Sequence, residues 1–142
     1  MTQTFDYAAV VDQEPTHWQT SRLHWHCYLW TGTGAEWADD AARKDPSSAL
    51  PPTAVRAWLQ KPAKLLKQVA GTPDEAQEWL REQATPLVER ELYPQEIDWE
   101  WRYRHSLYDL RSGNDLVWGI WTKGPSISAL AVIGTSERCH QV

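Results

Sequence analysis

Ten of the 142 residues are tryptophan, and this count constrains the fold more than any other feature of the chain. An indole buries a larger area than any other side chain while keeping one N–H that needs an acceptor. A chain this short must therefore build a core, a cavity wall or an adhesive surface out of indoles. Several come in close pairs: Trp25 with Trp30, Trp99 with Trp101, Trp118 with Trp121. The aromatic area offsets an apolar share of only 42% and a mean hydropathy of −0.61, so the chain has the means to fold. Its length suits one domain spanning residues 1–142.

Patterning assigns the elements. TFDYAAVVD (4–12) alternates as a short strand. In Ser21–Thr31, Leu23, Trp25, Cys27 and Leu29 occupy one face and His24, His26, Tyr28 and Trp30 the other. Neither face is freely polar, which predicts a central strand covered on both sides. Gly32-Thr33-Gly34 reads as a strand-to-helix turn. Helical patterning follows: Glu36–Lys44, then Pro52 to Ala70 with a kink or split at Pro62, then a helix opened by Thr72-Pro73-Asp74-Glu75. Thr85-Pro86 predicts a last turn reaching Leu92.

Glu96–Tyr108 alternates again. Ile97, Trp99, Trp101, Tyr103, His105 and Leu107 fall on one side, and Asp98, Glu100, Arg102, Arg104 and Ser106 on the other. That predicts a half-buried strand, a hairpin turn at 111–115, and strands at Leu116–Thr122 and Ile127–Gly134. The expected fold is α+β: an antiparallel sheet of about four or five strands, with a central helical insert (about residues 35–92) packed on one face. Its core is expected to include Leu23, Trp25, Leu29, Trp58, Leu59, Leu66, Trp79, Leu80, Trp99, Trp101, Trp118, Ile120 and Ile133. Trp37, Trp58 and Trp79 recur at intervals of 21 residues, a regularity that the flanking strands do not follow.

A net charge of −5 and a pI near 5.5 argue against a surface that tracks phosphates, so nucleic acid is disfavoured as the main partner. The basic row Arg56, Lys61, Lys64 and Lys67 is expected to face the acidic row Asp74, Glu75, Glu78 and Glu82, cancelling its field. Cys27 lies in an apolar-aromatic run, where a buried thiol is the expectation, and Cys139 is far from it in sequence. No segment has the apolar length of a membrane span, and the first residues lack the basic flank and apolar run of a secretion signal. A soluble cytoplasmic protein is the expectation. Arg, Ala and Trp usage points to GC-rich coding and a bacterial source.

Nucleophile-elbow, phosphate-loop, dinucleotide and Cys-x-x-Cys motifs are missing from the sequence, so no cofactor is expected. His24-Trp25-His26 puts two imidazoles on one side of a strand, where a third ligand such as His105 or His140 would complete a metal site. Their neighbours are aromatic rather than acidic, which favours hydrogen-bonded histidines without metal. His105, beside Trp101, Tyr103 and Tyr108, is a candidate general base, though Glu100 and Asp109 are only its neighbours in sequence.

Two functional classes emerge. The leading one is a small non-catalytic binding protein of inhibitor, immunity or adaptor type, using a Trp/Arg-rich surface with Arg102 and Arg104 to engage a partner, expected to be protein. The alternative is a small-molecule-binding protein or enzyme. Its aromatic cavity would be lined by His24, His26, Tyr28, Trp30, Trp101, Tyr103 and His105, with a histidine as acid/base. An enclosed cavity beside His24 and His26 would separate the two.

Overall fold

The computed structural model describes Ala9, residues 12–92 and residues 97–137. The expected strand at 4–12 and the Cys139-His140 pair lie outside the described residues, apart from Ala9 and Asp12. A short helix α1 (His17–Thr20) precedes strand β1 (His24–Gly32), and two short helices follow, α2 (Gly34–Trp37) and α3 (Asp40–Lys44). Two 3-10 turns, Val55–Gln60 and Ala63–Leu65, lead into β2 (Leu66–Ala70). Then come α4 (Pro73–Val88), α5 (Trp99–Arg111), β3 (Leu116–Thr122) and β4 (Ser126–Thr135). The four strands form one antiparallel sheet in the order β2-β1-β4-β3. The α+β expectation holds.

β1 is central because both of its faces are apolar. Large side chains on β1 sit opposite small ones on β4: Trp25 against Gly134, Tyr28 against Ala131, Trp30 against Ala129. A Cβ on residue 134 would stand 3.1 Å from the Trp25 indole nitrogen, so glycine there is what admits the ring. One sheet face carries Trp25, Cys27, Trp118, Ile120, Leu130 and Val132. Against it pack Ala76, Trp79, Leu80, Ala84 and Leu87 of α4, and Tyr103 and Leu110 of α5. The other face carries Tyr28, Trp30, Ile127, Ala129, Ala131 and Ile133, and is covered by Trp58 and Leu65 from the 3-10 turns. The insert thus divides between the faces: its long helix takes one, its irregular part the other.

The helix starts follow sequence signals. Thr33 and Glu36 form a reciprocal capping box at α2, so Gly32-Thr33-Gly34 is a strand-to-helix turn. Asp39 caps α3 through the Ala42 N–H and divides the expected Glu36–Lys44 helix in two. Thr72 caps α4 through the Glu75 N–H, with Pro73 at the first position.

Two expectations are corrected. Residues 52–70 are not a helix. Pro51, Pro52 and Pro62 remove backbone donors, only 3-10 turns survive between them, and the chain extends into an edge strand after Leu65. The basic row is therefore broken up: Arg56 pairs with Asp115 at 3.1 Å, and Lys61 is buried. The second correction is larger. Most of residues 96–108, expected as a strand, lies in α5, which is helical from Trp99, and 111–115 is the exit from that helix, not a hairpin.

Trp99, Tyr103, Ser106 and Leu110 point inward at helical spacing; Tyr103, Ser106 and Leu110 are buried and Trp99 is half-buried. Asp98 caps the helix through the Trp101 N–H at 3.0 Å, and Arg111 closes the last turn. Trp101, placed in the core by a period of two, is 41% exposed instead. Of the other expected core residues, Leu23, Leu29, Leu59, Leu66 and Trp99 are half-buried and the remainder buried. Trp37 ends the four-residue helix α2, Trp58 lies in a 3-10 turn and Trp79 in the middle of the long helix α4, so the 21-residue interval carries no structural repeat.

Candidate functional site

The candidate residues separate onto the two sides of the sheet. His24, His26, Tyr28 and Trp30 share the face covered by Trp58, as their alternation predicts. His24 Nε2 lies 3.2 Å from His26 Nε2, and His26 Nδ1 lies 3.3 Å from the Tyr28 hydroxyl. Tyr28 stacks on Trp58 at 5.3 Å, and Trp30 on Trp37 at 6.2 Å between ring centroids. Trp101, Tyr103 and His105 belong to α5, which packs on the opposite face. The single cavity that would combine both groups is not assembled, because the sheet stands between them. No group of three or more His, Cys, Asp or Glu side chains able to hold a metal occurs among the described residues.

Burial holds both histidines of β1 below their ordinary value of 6.5, and the charge of His24 depresses His26 further. Their folded values lie below their unfolded ones, so the unfolded chain binds more protons as the pH falls through that window. Stability from this pair is present above about pH 6.5 and is lost as the medium acidifies. The urea midpoint should therefore decline between about pH 7 and about pH 5, above the main carboxylate range. A His24→Gln/His26→Gln variant should show a flatter profile. An unchanged slope in that variant would place the acid sensitivity elsewhere. Cys27 points to the other face, and burial pushes its thiol up to about 12, where it is chemically inert.

The chemistry gathers on α5. Arg102 lies against two indoles, its guanidinium carbon 4.7 Å from the Trp99 ring centroid and 4.6 Å from that of Trp118. Desolvation pulls its pKa below the ordinary arginine value, with the charge of Glu91 the largest opposing influence. The Arg102 side chain makes no hydrogen bond or ion pair with the described residues, while its backbone N–H donates to the Asp98 carbonyl at 3.0 Å. Arg104, two residues on, points away from it and bonds to Asp12. The two arginines proposed as a joint interface thus occupy different sides of the helix.

Two adjoining clefts share Arg102 and Ile97. The larger, about 380 Å³, is lined by Trp101, His105, Asp109, Leu116 and Trp118 among others. The smaller, about 250 Å³, is bordered by Trp99, Glu91, Gly119 and Trp121. In the larger cleft Trp101 stacks on His105 at 4.9 Å, and His105 Nδ1 lies 3.0 Å from the Asp109 carboxylate. The Ser106 hydroxyl donates to the Tyr103 carbonyl and is occupied. Tyr103 itself is buried against Trp99 and Trp118.

No protein family, curated protein or solved structure matches this chain. Its function has to be argued from the geometry of its own side chains. Among the described residues, no helix is long and apolar enough to cross a membrane.

The sequence named Trp101, Arg102 and His105, put Ile97 with the first and last and Asp98 with the second, set Asp109 aside as a mere sequence neighbour of His105, and missed Trp118 and Leu116 as their companions. Asp109 was discoverable: on a helix it lies one turn from His105, whereas on a strand the two are distant. Trp118 required knowing that α5 lies against β3, which no local pattern encodes.

Proposed function

We propose that this is a small non-catalytic binding protein, of inhibitor or adaptor type and cytoplasmic in a bacterial cell, that engages a protein partner through the α5–β3 surface. The observation that carries the reading is the composition of that surface. Trp101 is 41% exposed and Trp121 is 38% exposed, and they border the two clefts that meet at Arg102. Trp and Arg are the side chains that most often dominate interface energetics, and exposed indoles beside concavities mark contact surfaces. Val117, 38% exposed, extends the apolar area along β3.

The test is retention of a partner on immobilised protein, compared with a Trp101→Ala/Trp121→Ala variant. Both rings are exposed, so the variant should keep its fold by circular dichroism while its partner affinity falls at least about tenfold. A partner held equally by both proteins, or none held by the wild type, would end this reading.

A second reading is favoured by one contact. The 3.0 Å approach of Asp109 to His105 Nδ1 fixes which imidazole nitrogen is left to face the cleft. An oriented histidine beside an apolar pocket is what acid/base chemistry on a small molecule requires. Such an enzyme would use only the α5 cleft, without His24 or His26.

A further inference from the structure

Among the described residues, the Arg102 side chain has no hydrogen-bond acceptor and no ion-pair partner. Five N–H donors run round the edge of a guanidinium, and this one lies against the indoles of Trp99 and Trp118, which meet each other edge-on at 5.8 Å. Contact with the two rings leaves those donors without an oxygen acceptor among the described residues. A half-buried cation whose donors lack a partner is costly, and the cost is recovered when an acceptor arrives from outside. The other charges of the larger cleft are already engaged. Asp98 accepts the Trp101 N–H as helix cap, and Asp109 is held by His105. Among the described residues of the cleft, the charge left without a partner is the positive one.

We infer that Arg102 is the anchor of a carboxylate-binding subsite, and that its ligand carries that carboxylate next to an aromatic or other flat apolar group. The inference rests on the reading of the α5–β3 surface as a binding surface and names the chemistry it selects. A planar guanidinium edge matches a carboxylate with two parallel hydrogen bonds. Ile97, Leu116, Trp101 and Trp118 supply apolar walls within the same 380 Å³ cleft, so a ring attached to the carboxylate is received beside it. A phosphate group suits the cleft poorly. It brings more negative charge, finds only one permanent cation among the described lining residues, and faces the carboxylates of Asp98 and Asp109.

The same chemistry occurs in a free aromatic acid and in a protein segment with an acidic residue beside an aromatic one. Titrations of the full chain distinguish them, followed by nitrogen-resolved NMR of the indole N–H groups of Trp99 and Trp118. The probes are phenylacetate, its neutral counterpart phenylacetamide, and the blocked dipeptide N-acetyl-tryptophanyl-aspartyl amide. Phenylacetate should shift both indoles saturably with Kd about 1 mM, and phenylacetamide should bind at least about tenfold more weakly. Arg102→Gln should erase the contrast between acid and amide, and Arg102→Lys should keep only part of it.

Tighter binding of the dipeptide would assign the subsite to a protein segment; tighter binding of phenylacetate would assign it to a free acid. Equal binding of phenylacetate and phenylacetamide by the wild type would overturn the inference, whether or not the variants fold. So would silence of both indoles with both acids at about 20 mM. Partner retention is measured separately. A protein that binds phenylacetate but retains no partner refutes the partner and keeps the subsite, and the reverse result does the opposite.

Discussion

Trp118→Ala should cost about 3–5 kcal/mol of stability, while Trp101→Ala should cost under about 1 kcal/mol. Trp118 is only 6% exposed, and its ring meets Trp99 edge-on at 5.8 Å, Tyr103 at 5.9 Å and the Arg102 guanidinium at 4.6 Å. Its removal opens a cavity at the junction of α5 with the sheet, and the surrounding rings can refill it only partly. Trp101 has one ring contact of note, the stack on His105, and 41% of it faces water. Urea midpoints of the two variants measure the contrast directly. It also tests the helix, since a strand over 96–108 would bury Trp101 beside Trp99 and make it expensive to remove. Trp118→Ala should in addition abolish the discrimination between phenylacetate and its amide, because one wall of the Arg102 stack is gone.

That contrast shows where the sequence was legible. β1 was readable because its two faces differ in kind but neither is polar, a pattern that only a doubly covered strand satisfies. α4 was readable from Thr72-Pro73-Asp74-Glu75, whose cap, fixed proline φ and acidic first turn all agree. The 99–111 segment was misread because two periods fit it. Trp99 and Tyr103 lie on one side for a strand and for a helix alike. The residues that discriminate are Ser106 and Leu110, buried on the helix, and Trp101, which is not. A serine in an inward position and a tryptophan in an outward one both run against simple hydropathy. Tertiary packing decides such cases, and Asp98 as a cap was the local clue that tipped the balance. The cleft was half legible for the same reason: residues from α5 were named, and those from β3 were not.

The stretch from Asp45 to Lys61 was illegible for a different reason, and it yields the second large effect. Pro46, Pro51 and Pro52 deprive this stretch of N–H donors, so it carries more carbonyls than its own backbone can satisfy. Two cations make up the deficit. Arg43 donates to the carbonyls of Trp37, Pro51 and Pro52 at 2.9, 2.9 and 3.1 Å while stacking on Trp37 at 4.0 Å. Lys61, 8% exposed, donates to the carbonyls of Arg43 and Asp45 at 2.8 and 2.7 Å and to the Ser48 hydroxyl at 3.1 Å. Desolvation lowers the lysine pKa, and the hydrogen bonds keep the buried ammonium supplied with acceptors.

Lys61→Met keeps the length of the side chain and removes all three donors. It should destabilise the fold by about 3 kcal/mol, the usual penalty for stranding buried carbonyls that had a charged donor. Arg43→Lys, which cannot reproduce a planar fork over three carbonyls, should cost about 2 kcal/mol. Both act on one loop, so the double variant should lose less than the sum. Trp58 and Leu65 cover the sheet face opposite α5, so the loss should appear as faster amide exchange around Trp58 and in β2. Phenylacetate binding at Arg102 should be unchanged under conditions where the variants remain folded. Equal urea midpoints for Lys61→Met and the wild type would mean that the loop finds other donors, and that its prolines alone hold its shape.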